Sequence, residues 1–131
     1  MRILVVDDDY VSRVKLSKLL SALGHCDASP NGDIALRLFE SAYTEGTPYG
    51  LVTMDIEMPD INGKEVVARM RELEKSWEIA PKSAAKILMV TANTAVKEVF
   101  SSYDDGCDDY VMKPIKPDDL ERTLTKMGIR T

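Results

Sequence analysis

Leu51-Val52-Thr53-Met54-Asp55-Ile56-Glu57-Met58-Pro59 is a mostly apolar run that meets a carboxylate and passes into a proline-containing loop. A short apolar run bounded by turn residues reads as a strand buried on both faces. Such a strand delivers one acid, Asp55, to the edge of a sheet. Whether Asp55 is a reactive group or only the first residue of a loop depends on what the other strands bring to the same edge.

Working outward from that run, Ile3-Leu4-Val5-Val6 is a second β-branched apolar run, stopping at Asp7-Asp8-Asp9. Apolar residues at helical spacing follow (Val11, Val14, Leu16, Leu19, Leu20, Leu23) with an Asp as N-cap and Gly24 as the stop. Cys26-Asp27-Ala28 is a weak strand candidate, and Pro30-Asn31-Gly32 a turn. Ile34, Ala35, Leu38, Phe39 and Ala42 mark a second helix that ends near Glu45-Gly46, and the central strand spans Tyr49 to Met54. A third helix turns Val66, Val67, Met70 and Leu73 inward, and Glu74 to Ala85 reads as a mixed connection holding Trp77 and Pro81. Lys86-Ile87-Leu88-Met89-Val90, ending at Thr91, is the fourth strand; Val96, Val99, Phe100 and Tyr103 mark a fourth helix. Tyr110-Val111-Met112 is the fifth strand, closing at Lys113-Pro114. A fifth helix starts at Pro117, with Asp118 and Asp119 in its first turn and Leu120, Leu124 and Met127 facing inward. Alternation of five strands and five helices predicts an α/β domain over residues 1–131, with a parallel sheet covered on both faces.

Composition bounds the function. The 131 residues suffice for one domain with a real core, and 44% hydrophobic with 30% charged residues is ordinary for a soluble globular protein. A net charge of −5 argues against a nucleic-acid-binding surface. No stretch approaches the roughly 18 apolar residues of a membrane span, and the N-terminus turns acidic too early for a signal peptide. The expectation is a cytoplasmic protein acting without nucleic acid or membrane. Cys26 and Cys107 share no metal-type spacing and read as free thiols. His25, the only histidine, reads as structural or solvated, so a phosphoryl donor would have to come from outside the chain.

In a parallel sheet of this kind ligands bind at the carboxyl ends of the strands. Five polar residues collect there: Asp7 and Asp8 after the first strand, Asp55 after the third, Thr91 after the fourth, Lys113 after the fifth. The acids of Asp104-Asp105 and Asp108-Asp109 fall at the opposite edge and read as a solvated turn. Two carboxylates about 4–5 Å apart repel by roughly 3–4 kcal/mol at an effective dielectric near 20. Three in one crevice call for cations. Lys113 supplies one, and a hard divalent ion with oxygen ligands, carried in with a phosphate, suits the second place. An Asp carboxylate can itself be the nucleophile and form an aspartyl phosphate. Each residue also has a plain reading: Asp8 or Asp9 as a helix cap, Asp55 as a loop acid, Thr91 as a turn residue, Lys113 as a solvated cation.

Ile3-Leu4-Val5-Val6-Asp7-Asp8, Met54-Asp55-Ile56-Glu57-Met58-Pro59 with Gly63, Val90-Thr91-Ala92 and Asp109-Tyr110-Val111-Met112-Lys113-Pro114 together resemble a response-regulator receiver domain, of the kind found in chemotaxis regulators, across essentially the whole chain. The resemblance implies a flavodoxin-like (βα)5 three-layer sandwich with strand order 2-1-3-4-5, and a phosphorylation-dependent switch in a two-component phosphorelay. It implies Asp55 as the phosphoacceptor, and Mg2+ (or Mn2+) held by Asp7, Asp8, Asp55 and the backbone carbonyl of Glu57. Thr91 would move to bind the phosphoryl group, Lys113 would pair with it, the Lys113–Pro114 peptide would be cis, and Tyr110 would be the switch aromatic whose rotamer follows Thr91. The implied partners are a histidine kinase or histidine phosphotransfer protein, a downstream target on the face of the fourth helix, fifth strand and fifth helix (Val96, Val99, Phe100, Tyr103, Tyr110, Lys116), and a phosphorylation-dependent homodimer. Glu57 and Asn93 stand where the family tunes its rates. Asn62 replaces a common Asp and Cys107 a common small residue.

A stand-alone receiver is the direct expectation, with a piece of a hybrid histidine kinase as the alternative; the Glu74–Ala85 segment resembles receivers attached to such kinases. Two other readings compete: a pseudo-receiver that binds without phosphoryl turnover, and an aspartate-nucleophile hydrolase. The hydrolase pattern wants Asp-x-Asp, whereas here the pair is Asp55-Ile56-Glu57. The expectation is therefore a phosphoacceptor signalling domain, whose own chemistry stops at self-phosphorylation from small acyl phosphates and auto-dephosphorylation.

Overall fold

The computed structural model describes residues 1–92 and 106–129. Its five strands are β1 Arg2–Val6, β2 His25–Ser29, β3 Leu51–Asp55, β4 Lys86–Thr91 and β5 Asp109–Met112. All pair in parallel, in the order β2-β1-β3-β4-β5. Four helices lie among the described residues: α1 Tyr10–Leu20, α2 Gly32–Thr44, α3 Gly63–Ser76 and a C-terminal helix Pro117–Lys126. The helix expected at Val96, Val99, Phe100 and Tyr103, with Asn93 and Asp104-Asp105, falls outside the described residues.

The unbroken apolar runs of the central strands have a simple cause. Leu4, Val6, Val52, Met54, Ile87 and Met89 form one core with α2 and α3. Their strand neighbours Ile3, Val5, Leu51, Leu88 and Val90 form a second core with α1 and the C-terminal helix. Alternate side chains point to opposite faces, and both faces are covered, so the positions are apolar but for buried Thr53 in β3 and the polar residues at the strand ends.

Four local expectations are corrected. β2 is a full strand, paired with β1 from Arg2↔His25 to Val6↔Ser29. Its sequence is polar because it is an edge strand, held where Asp27 Oδ2 accepts from Arg2 Nε at 3.1 Å and from Tyr49 Oη at 2.7 Å. Helix α1 stops at Leu20, and Val11 (69% exposed) and Val14 (37% exposed) lie on its outer face, so only Leu16 and Leu20 of the helix are fully buried. Helix α3 extends to Ser76, past the expected start of the connection, and Trp77 at its end stacks on Tyr43 of α2 with centroids 4.0 Å apart.

The fourth correction concerns the acids at the N-terminal edge. Asp108 and Asp109 are not simply solvated. Asp108 Oδ2 accepts from Ile87 N at 2.7 Å and from Arg71 Nη2 at 3.0 Å, while Asp109 is buried with Lys126 Nζ 3.6 Å away. Arg71 also donates to Gly106 O and Ala85 O, and through Nη1 to buried Glu74 at 2.7 Å. This network ties α3 to the starts of β4 and β5.

Candidate functional site

Parallel register assembles the crevice. Val6 lies opposite Met54, and Asp55 opposite Val90, so the residues just beyond β1 and at the ends of β3 and β4 share one edge. Asp9, not Asp8, caps α1: its Oδ2 accepts from Ser12 N at 3.1 Å and from Ser12 Oγ at 2.7 Å. That frees Asp8 for the crevice. Carboxylate oxygens of Asp7, Asp8 and Asp55 lie within 4.8 Å of one another, the one such grouping among the described residues.

Asp7 is 1% exposed and Asp55 2% exposed, so their charge is expensive without a counter-charge. Lys113 Nζ lies 2.9 Å from Asp7 Oδ2 and 3.5 Å from Asp55 Oδ2. Burial alone would lower the Lys113 ammonium, but the two carboxylates outweigh it and raise its pKa. Asp55 moves the other way: burial, a hydrogen bond with the Asp8 carboxyl and the charge of Asp7 push it up to about 8, against the pull of Lys113. Burial and the neighbouring acids thus favour the protonated form of a group that is ordinarily ionised at neutral pH.

The site therefore lacks positive charge. One ammonium faces three carboxyls, and among the described residues the Lys113 ammonium at 2.9 Å is the one partner of buried Asp7 Oδ2. Oxygen donors with a surplus of negative charge fit a hard divalent cation. Asp7 Oδ1 is already used by Asp9 N at 2.9 Å, so Oδ2, which pairs with Lys113, is the atom placed to face such an ion.

The loop after β3 is fixed by close backbone contact. Ile56 N donates to Val90 O and Gly63 N to Ile56 O. A Cβ on Gly63 would stand 2.2 Å from Asp55 O, so only glycine lets α3 begin this close to the acid. Asn62 caps α3 through Lys64 N at 2.8 Å. Glu57 N donates to Asp55 Oδ1 at 3.3 Å, and the Glu57 side chain receives the Thr91 hydroxyl at 2.5 Å. The Lys113–Pro114 peptide is cis, and Lys113 N donates to Thr91 O. Tyr110, opposite Met89, is half-buried against the α2–α3 core.

All five expected residues thus reach one edge. Sequence reasoning missed two supports. Arg13 Nη1 donates to Asp7 O at 2.8 Å, and Asp60 Oδ2 accepts from Gly32 N at 3.1 Å, binding the loop beyond Asp55 to the start of α2. Arg13 could have been found as the residue one helical turn beyond the Asp9 cap. Asp60 carried no local signal.

A doubly covered parallel sheet with three carboxyls, a lysine and a threonine at its carboxyl edge defines a phosphoacceptor receiver fold. Comparison with known proteins agrees. The family described as the response regulator receiver domain matches residues 3–125, and the chain belongs to that family, the phosphoacceptor switches of two-component and phosphorelay signalling. It is 34% identical over 131 residues to the transcriptional regulatory protein TcrA of Mycobacterium tuberculosis, covering 99% of this chain and 47% of that protein. It is 33% identical over 127 residues to hybrid signal transduction histidine kinase L of Dictyostelium discoideum, covering 97% of this chain and 7% of the kinase. The chain therefore spans less than half the length of these relatives. Among solved structures it is similar to response regulator protein TrrA from Thermotoga maritima in complex with Mg2+ and BeF, at 36% identity and a TM-score of 0.75, covering 96% of this chain and 97% of that one.

Proposed function

We propose that Asp55 accepts a phosphoryl group from a phosphohistidine of a histidine kinase or histidine phosphotransfer protein. The observation that carries this reading is the buried Asp55 carboxylate, ringed by Asp7, Asp8 and Lys113 at the carboxyl edge of the sheet. Its raised pKa means that Asp55 must first lose its proton, because the carboxylate is the nucleophile. Asp7, Asp8, Asp55 and the backbone carbonyl of Glu57 would hold Mg2+, with Mn2+ as a substitute. The ion would neutralise phosphoryl oxygens as charge develops on them. Lys113 would move from pairing with carboxylates to pairing with the phosphoryl group. The Thr91 hydroxyl would donate to another of its oxygens. Tyr110, half-buried on β5 beside β4, would respond to Thr91 and pass the change to the surface around β5 and the C-terminal helix, Lys116 included.

The domain would act by protein contact in the cytoplasm, on a downstream target or on a second copy of itself, and the range 1–131 would function as one receiver. No helix among the described residues is long and apolar enough to cross a membrane. Its own chemistry would be limited to taking phosphate from small acyl phosphates and losing it by hydrolysis. The test is intact-mass measurement after acetyl phosphate and Mg2+. Wild type should gain one phosphoryl group and Asp55→Asn none; equal gain in the variant would sink the assignment.

A further inference from the structure

Thr91 is fully buried at the end of β4, yet its hydroxyl is held by an exposed residue: Oγ1 donates to Glu57 Oε1 across 2.5 Å. Glu57 touches the acceptor as well, its backbone N–H donating to Asp55 Oδ1 at 3.3 Å. One residue therefore grips the acid through its backbone and the threonine through its side chain.

A threonine hydroxyl carries a single proton, and an ionised carboxylate can only accept. While that proton is given to Glu57 it cannot be given to an oxygen of a group on Asp55. We infer that the Glu57 carboxylate is a latch on Thr91, which must open before Asp55 can be stably loaded. This rests on the reading of Asp55 as acceptor and Thr91 as its hydroxyl partner. The latch is built to open from the site side. An incoming phosphoryl group brings further negative charge and strong acceptor oxygens into the crevice, repelling Glu57 and competing for the same proton. Glu57 is exposed and can swing into water, where its charge is solvated. Thr91, once released, can turn its hydroxyl toward the group on Asp55. Glu57 is thus a positioning residue that acts through Thr91, and the apparent affinity of the site for a phosphoryl group is reduced by the fraction of molecules in which the latch is closed.

The test uses beryllofluoride as the phosphoryl probe at saturating Mg2+, with binding followed by titration on the full chain. Glu57→Ala should tighten apparent beryllofluoride binding about 3- to 10-fold, the net value of one ordinary intramolecular hydrogen bond. Glu57→Gln, which keeps an acceptor oxygen and loses the charge, should fall between. In a double-mutant cycle the gain must vanish in Thr91→Val, which lacks the hydroxyl, and persist in Thr91→Ser, which keeps it. An equal gain in the Thr91→Val background would mean simple charge repulsion and overturn the latch, as would the absence of any gain. If, with the latch already removed by Glu57→Ala, Thr91→Val binds beryllofluoride as tightly as the chain that keeps Thr91, the threonine assignment fails and the latch with it. If Asp55→Asn does so, the acceptor assignment fails first.

Discussion

At the residue scale, Asp55 shows how burial converts a common side chain into a poised one. The free residue ionises near pH 4, whereas in the fold its pKa is pushed up to about 8 by burial and by Asp8 and Asp7. Between those values the unfolded chain has lost a proton that the folded chain keeps. Folding stability therefore falls as pH rises through that window. Without divalent metal, urea unfolding should show this decline from about pH 4 to pH 8, and Asp55→Asn should flatten it and be the more stable protein at pH 8. A steeper decline in the variant would contradict the assignment. Gly63 is the second residue whose role is local and geometric. Because a Cβ there would stand 2.2 Å from Asp55 O, Gly63→Ala has to displace the loop that carries Glu57. A loss of about 1–3 kcal/mol in chemical denaturation is expected, with weakened phosphoryl uptake by intact mass.

At the scale of elements, the two sheet edges do different work. The carboxyl edge concentrates unpaired charge, whereas the amino edge neutralises it. Arg71 of α3 reaches Glu74, Asp108 and the carbonyls of Ala85 and Gly106, locking α3 to the strands at the end remote from Asp55. Arg71→Ala would leave Glu74, 5% exposed, without its cation. Breaking such a pair from one side costs about 3–5 kcal/mol. The variant should unfold at markedly lower denaturant yet keep Asp55 competent for acetyl phosphate at low temperature. Glu74→Gln in the same background should recover part of the loss. Helix α1 illustrates why its apolar face was only half legible. At about 100° per residue Val11 and Val14 fall on the face opposite Leu16 and Leu20, while half-buried Ser12 and Arg13 occupy the inward side of the first turn.

For the molecule as a whole, the electrostatic imbalance predicts linkage between metal and stability. A cation that binds only the folded crevice stabilises it by RT ln(1 + [L]/Kd), about 2.7 kcal/mol at a hundredfold excess over Kd. Millimolar Mg2+ should therefore raise the melting temperature of wild type and reverse its loss of stability toward pH 8. Asp7→Asn, which removes an oxygen charge from the ring of three, should abolish most of that rise. An unchanged melting temperature in wild type would argue for a binding module that never handles phosphate.

The fold and most of the site were legible because both rest on one-dimensional signals. Continuous apolar runs can only be strands buried on two faces, and in parallel sheets the residue after each run falls on the same edge. That placed Asp7, Asp8, Asp55, Thr91 and Lys113 together before any contact was known. The sequence also narrowed the caps, to Asp8 or Asp9 for α1 and Asn62 for α3, because a cap acts on neighbours two or three residues away; the structure chose Asp9. Tertiary structure alone decided which long side chains meet. The Thr91–Glu57 bond, the hub at Arg71, the pairing of Asp60 with Gly32 and the stack of Trp77 on Tyr43 join residues separated by 34 positions in each of the first and last cases, 28 in the Asp60 pair and up to 37 around Arg71. No periodicity encodes such pairs, because they depend on how helices rotate and loops close over the sheet. Pattern sets which edge a carboxylate reaches; packing sets whether it is bare, paired or latched.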